Sequence, residues 1–466
     1  MTDTASPAEQ ARGPRTAGIR DVGGPRAAAA AWLVGLALCA LVFIETNFVP
    51  ASGPAPVSAA AAGTIPPPGM LDPLARLVMG APAEQRAEAL QVIGMFSPGP
   101  AGTLRVAMME AEVVGPERAV KSLEGLEAIP EGTVLAEEAS LVRRLVEQGP
   151  PALSEAERAR IESNHGFIGR LAVSRGLAES DPRRDALRQE ADRTFFRVLV
   201  LEVVGLGGFV LAVLTSVATG IVFLVLGRVR ASLAPAAAGG SVFIETFAVF
   251  MCAMLAVREI GPLLRDSIGP MAILLQWLVA PTVFWPLLRR TPWVNLKYAM
   301  GWHTGRGFFR EVGAGIVGYL ACVPLIVMGV LCTLLLGIIR AWVVGGEAEP
   351  TTHPIGALLA GADFWMLVAI ASLAVVWAPL VEESIFRGAL YHHLRARLHW
   401  TVAGLTQAVL FAAVHPQGWV AIPALGSIGL SLSLLREWRT SLIPGITAHA
   451  MNNGTIVTLL VIVSNL

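Results

Sequence analysis

The chain predicts an all-α fold: a polytopic transmembrane helix bundle with an inserted soluble helical domain. Three observations carry this. Of 466 residues, 54% are hydrophobic and only 15% are charged. The apolar residues gather in runs close to the roughly 20 residues that a helix needs to cross a bilayer. One stretch, 71–195, departs from that pattern: Ala, Leu, Glu and Arg dominate it and Gly/Pro turns divide it. The net charge of zero leaves nucleic acid outside the expected partners.

Residues 1–26 are polar and rich in Pro, Gly and Arg, the composition of a disordered tail. Ala27–Val49 is longer than a signal h-region and reads as an uncleaved transmembrane anchor. A Pro/Ala linker, 50–70, ends in Pro66-Pro67-Pro68-Gly69. The soluble domain, 71–195, has breaks at Ser97-Pro98-Gly99-Pro100, Gly115-Pro116, Pro130 and Gly149-Pro150-Pro151, which predict short helices. Ser154-Glu155-Ala156-Glu157 has the form of a capping box. His165, beside Asn164, reads as a turn residue and not as a ligand. Residues 196–345 are expected to be transmembrane helices, and 346–466 a second transmembrane core.

Apolar runs at Val198–Leu226, Val242–Val257, Met271–Leu288, Val312–Val343, Phe364–Leu380, Thr401–Val414, Val420–Leu435 and Leu442–Val463 bring the expected spans to nine. Arg12, Arg15, Arg20 and Arg26 precede the first, so the N-terminus is expected in the cytoplasm. Alternation then puts Arg228/Arg230, Arg289/Arg290/Lys297, Arg395/Arg397 and Arg436/Arg439 on that same side. The acidic loop with Glu347 and Glu349 falls on the opposite side. Residues 305–311, Gly-Arg-Gly-Phe-Phe-Arg-Glu, are expected along the interface. Cys39, Cys252, Cys322 and Cys332 all sit in apolar runs and read as small buried hydrophobes.

Ionisable groups inside a membrane are costly, so they mark functional candidates. Three such signals fall late in the chain: Glu382, Glu383 and Arg387; then Phe411 and His415; then His449 and Asn453. Residues four apart share a helix face, so Glu383 and Arg387 can pair while Glu382 points about 100° away. A helix through Glu382 to about Leu398, turning at His399-Trp400, places Glu382 about 16 residues before the turn and His415 about 15 after it. At about 1.5 Å per residue the two arms are each about 24 Å long, and the carboxylate stands level with the imidazole. Pro416, Gly418 and Pro423 predict a break after His415.

In a wet, membrane-embedded cavity a glutamate can act as general base on water. A histidine can orient that water or move protons. A second histidine with an asparagine one turn away supplies oxyanion donors. That equipment fits amide hydrolysis. Zinc held by Glu382, His415 and His449 is the disfavoured alternative, because HExxH is absent. Glu245 and Glu259 read as helix-end polar groups, and His392, His393 and His399 as an interfacial basic patch with Arg395 and Arg397.

The order EExxxR, FxxxH, HxxxN across late transmembrane helices resembles the CPBP family of intramembrane proteases. That family includes the CAAX prenyl proteases and the bacterial lysostaphin-resistance (Abi) proteins. The resemblance covers about 365–463. It implies a glutamate endopeptidase without a cofactor, in which Glu382 activates water with His415, and His449 with Asn453 stabilises the oxyanion. Glu383, Arg387 and Phe411 would support them. A membrane protein or peptide is the expected substrate, a bacterial cytoplasmic membrane the expected location, and a partner is expected for 71–195. The competing classes are a catalytically silent scaffold or bacteriocin-immunity protein, and a transporter.

Overall fold

The structure is a computed structural model. It describes residues 21–48, 65, 71–95, 99–126, 132–344 and 364–464. The tail up to residue 20, the linker apart from Ile65, the breaks at Ser97-Pro98 and Pro130, and the loop with Glu347 and Glu349 lie outside the described residues. Among those described, every regular element is helical. The chain divides into two compact units. One is essentially 50–208; the other comprises 1–49, 209–355 and 362–458.

The first unit contains α2 (Leu71–Gly80), α3 (Ala83–Met95), α4 (Pro100–Val113), α5 (Pro116–Leu123), α6 (Val134–Gln148), α7 (Glu155–Val173) and the start of α8 (Pro182–Val225). Its core is Leu104, Met108, Val142, Leu145, Ile161 and Phe167 with their neighbours. The punctuation residues do what their chemistry predicts. Pro100 and Pro116 begin helices, where the missing N–H costs nothing. Thr133 caps α6, accepting from the Ala136 amide at 3.2 Å. Ser154 and Glu157 form the expected capping box, with the Ser154 amide donating to Glu157 at 2.8 Å. The Ser154 amide, the Arg144 side chain and the Ser154 hydroxyl together hold the Glu157 carboxyl down at about 2.

His165 corrects the turn expectation. It lies within α7, fully buried, and its Nε2 bonds Glu138 at 3.1 Å. Glu138 also accepts from Asn164 at 3.0 Å and from Arg160 at 2.9 Å. The chain does bend here, but at Gly166 (φ 56°, ψ −128°), a conformation that favours glycine. Burial pushes the His165 imidazole below its ordinary range, only partly opposed by Glu138. For Glu138, burial acts upward, but the His165 and Asn164 hydrogen bonds and the Arg160 charge outweigh it and leave the carboxyl lowered.

The membrane unit begins with residues 21–24 and α1 (Pro25–Phe48). The Val22 carbonyl accepts from the Ser241 and Val242 amides, which fixes residues 21–24. The far part of α8 follows, then α9 (Val242–Ile268), a 3₁₀ segment (Gly269–Phe284), α10 (Trp285–Leu288), α11 (Trp293–Met300) and α12 (Phe308–Val344). Next come α13 (Phe364–Arg395), α14 (Trp400–Ala413), α15 (Ile422–Arg439) and α16 (Ile443–Ser464). Six helical stretches among the described residues are long and apolar enough to span a bilayer. They lie in α1, α8, 271–288, α12, α13 and α15. Of the other three expected spans, α14 has only 14 residues, α9 carries Glu245, Arg258 and Glu259, and α16 carries His449, Asn452 and Asn453.

Small residues let these helices approach, as membrane packing requires. A Cβ at Gly318 would meet Leu435 of α15 at 2.2 Å, and one at Gly329 would meet the Pro423 carbonyl at 2.5 Å. Gly429 brings α15 against Ala408 of α14 in the same way, at 3.1 Å. Phe247 and Phe250 of α9 pack edge-on against Phe386 of α13. Two expectations change. Cys252 and Cys332 are exposed, not buried, because their helices turn these faces outward. His392 and His393 are buried, not interfacial, since Phe243 of α9 and Trp32 of α1 cover them.

The buried Glu138 network predicts an acid-sensitive α6–α7 pairing. Both groups have lowered values when folded, so the unfolded state binds more protons and stability is lost as the pH drops. Loss begins near the unfolded histidine value of about 6.5 and deepens as Glu138 protonates. Hydrogen exchange on the full chain, corrected for intrinsic rates, should show α6 and α7 losing protection from pH 7 to pH 5. Glu138→Ala should cost roughly 100-fold in that protection, as expected when a buried ion pair loses one partner.

Candidate active site

Four helices meet around Glu383. Its side chain is fully buried, and Oε1 accepts from Arg387 at 2.8 Å, the i,i+4 pair that helical spacing implies. The same oxygen accepts from His449 Nδ1 of α16 at 3.1 Å. Arg387 also donates to the Gly429 carbonyl of α15 at 3.1 Å, and its guanidinium lies 4.4 Å from the centre of the Phe411 ring of α14. One carboxylate therefore links α13 to α16 directly, and its arginine reaches α15 and α14.

The backbone around these groups is unusual. Within α13, Ser372–Trp377 and Glu383–Leu390 are wide π turns, a form found chiefly at functional sites. Glu382 ends the α-helical turn between them. Its side chain is 16% exposed, whereas Glu383 is 0% exposed. Glu382 Oε2 lies 3.9 Å from His449 Nε2, too far for a direct hydrogen bond and within the span of a bridging water.

His415 follows the end of α14, where Pro416 and Gly418 break the helix as expected. Gly418 has φ +79°, a left-handed conformation that favours glycine. His415 Nδ1 is 2.5 Å from the Phe411 carbonyl, and its ring centre is 4.4 Å from that of Phe411. A carbonyl only accepts, so Nδ1 carries the proton and Nε2 is left with its lone pair. The charges of Glu382, His449 and Arg387 all act on this imidazole. On α16, Asn453 donates to the Ala374 carbonyl of α13 at 2.8 Å and accepts from Asn452 at 3.3 Å. One Asn453 amide hydrogen and the Nε2 atoms of both histidines remain for chemistry.

Phe411 is the hinge of the aromatic packing. It meets Phe386 edge-on at 5.1 Å and the His449 ring at 6.3 Å. The structure thus gathers Glu382, Glu383, Arg387, Phe411 and His449, with His415 one turn beyond Phe411 and Asn453 one turn beyond His449. A cavity of about 10 Å³ beside His449, lined also by Tyr319, Ser431 and Asn452, holds at most one water. Among the described residues no group of three His, Cys, Asp or Glu side chains stands close enough together to hold a metal ion.

Residues 364–455 match the family model described as type II CAAX prenyl endopeptidase Rce1-like. The match is consistent with the resemblance to the CPBP family. Comparison with the curated proteins and with the solved structures returned no match. The Rce1-like segment contains α13, α14, α15 and the first half of α16, so Glu382, Glu383, Arg387, Phe411, His415, His449 and Asn453 all fall inside it.

Several residues of the Rce1-like segment carry no motif signal, yet shape the site. Gly445 is the clearest: a Cβ there would stand 2.8 Å from Glu383 Oε2. Gly388 is pressed against Met300, and Ser384 accepts from Trp302 at 2.9 Å. Small residues in apolar helices are common, which hides these from sequence inspection.

Gly445→Ala should lower the unfolding midpoint in detergent, by about 1–3 kcal/mol of overpacking. Gly454→Ala on the same helix should be neutral, because its nearest neighbour, Val375, is 3.9 Å away. Arg387→Ala should cost about 3–5 kcal/mol, since it leaves Glu383 buried without its cation.

Proposed function

We propose that this chain is a membrane-embedded endopeptidase that hydrolyses a peptide bond of a membrane protein or peptide with water activated by Glu382. The observation that carries this reading is the division of labour within the glutamate pair. Glu383 is enclosed and engaged by Arg387 and His449, while Glu382 is partly open, with His449 Nε2 3.9 Å away and no direct hydrogen bond between them. A carboxylate held by two partners is suited to positioning, and the less engaged Glu382 is left to meet water.

The roles follow from the free atoms. Glu382 takes a proton from water, with His415 Nε2 as a second acceptor orienting the same molecule. The resulting hydroxide attacks the carbonyl carbon of the scissile bond. The developing oxyanion is met by the remaining N–H of Asn453 and by the Nε2–H of a His449 ring that holds a proton on each nitrogen throughout the cycle. The C–N bond then breaks, and the proton returns from Glu382 to the leaving amine. Glu383 fixes the ring of His449 through Nδ1, as a carboxylate orients a catalytic imidazole elsewhere. The family match supports proteolysis of the CAAX type, and the absence of room beside His449 means that a substrate enters from another side or displaces a helix.

Comparison of membrane peptides from cells with the wild type and with Glu382→Ala tests this. Fragments present with the wild type should vanish in the variant at equal protein level. An unchanged fragment profile would sink the proposal and leave a non-catalytic scaffold of the same fold.

A further inference from the structure

A second site lies in the membrane unit and shares no residue with the carboxylate–histidine cluster. It is a cleft of about 320 Å³ where the end of α8, the start of α12 and the end of α15 come together. Arg306, Arg310 and Arg439 form its charged rim, Phe223 and Trp438 its aromatic wall, and the turn 313–317 of α12 its apolar floor. Phe223 and Trp438 pack at 5.8 Å, and the Arg439 guanidinium lies 5.2 Å from the Trp438 ring centre.

The charge at this cleft is unbalanced. Glu311 is fully buried, and its carboxylate is taken by Arg439 at 2.9 and 2.7 Å and by the Arg306 amide at 2.8 Å. That leaves the Arg306 and Arg310 side chains. Both are exposed, and neither has a carboxylate within ion-pair distance among the described residues. Two free guanidiniums over an apolar floor fit a ligand with an anionic head and a hydrocarbon body.

Three helix ends fix the depth of the cleft. α8 ends at Val225, α12 begins at Phe308 and α15 ends at Arg439, so the rim stands where three apolar helices leave the membrane. Phe308 and Phe309 beside it are 53% and 86% exposed, as in the aromatic belt at an interface. We propose that this cleft binds the phosphate headgroup of an anionic phospholipid from the surrounding bilayer, with the acyl chains against α12 below. Guanidiniums suit a phosphate because their planar donors match its oxygens in pairs. Basic pockets between transmembrane helices hold anionic lipids by this chemistry.

The test is native mass spectrometry of the full chain in detergent, titrated with dioleoyl phosphatidylglycerol or dioleoyl phosphatidylcholine. The wild type should retain the phosphatidylglycerol preferentially. Arg306→Ala/Arg310→Ala should weaken its binding about 30-fold, at about one unit of lipid attraction per arginine. Arg306→Lys/Arg310→Lys should keep most of it, which separates charge from folding. Excess inorganic phosphate should leave the lipid bound. Equal retention of the two lipids, undiminished binding by the alanine variant, or displacement by inorganic phosphate would overturn the proposal.

Discussion

The Glu383 carboxylate, shared between Arg387 and His449, is the interaction on which the rest of the site depends. It is fully enclosed, so removing either partner exposes a charge to an apolar surrounding. Its reach is long. Arg387 hands the connection on to the Gly429 carbonyl, and Phe411 closes over the guanidinium. The three helices that carry reactive groups, α13, α14 and α16, are therefore held in register by the Glu383–Arg387 pair, its hydrogen bond from His449 and the Arg387 contact with Phe411. Gly445 permits this by leaving room for the carboxylate where any larger residue would intrude.

Packing in the membrane unit serves the same end. Gly318, Gly329 and Gly429 let α12, α15 and α14 approach to backbone distance, which replaces the hydrophobic drive absent between helices in lipid. The buried network uses that rigidity to hold Glu382 apart from Glu383. Two adjacent carboxylates thus experience different surroundings, one enclosed and held through Oε1 by Arg387 and His449, the other partly open.

Much of this was legible in the sequence where the reasoning was local. Helical spacing gave the Glu383–Arg387 pair, and Pro416 with Gly418 gave the break after His415, because both follow from neighbours within a few residues. The capping box at Ser154 is of the same kind. Pairings across long separations were not legible. Glu383 meets His449 from 66 residues away, and Asn453 meets Ala374 from 79. Periodicity also cannot tell an α turn from a π turn, so the wide segments of α13 passed unseen. The burial of His165 is hidden from the sequence for a related reason: its partner Glu138 lies on another helix, 27 residues away. The span count stays an expectation, because α9 and α16 place charged or amide groups in otherwise apolar helices.

The most direct measurement compares Glu382→Gln with Glu383→Gln in one purified preparation, reading both substrate cleavage and the unfolding midpoint. Both substitutions preserve shape and remove a charge. The division of roles predicts that Glu382→Gln abolishes cleavage with the midpoint nearly unchanged. Glu383→Gln should lower the midpoint markedly, because Arg387 loses its buried anion. Normal cleavage by Glu382→Gln, or an unchanged midpoint in Glu383→Gln, would contradict the account.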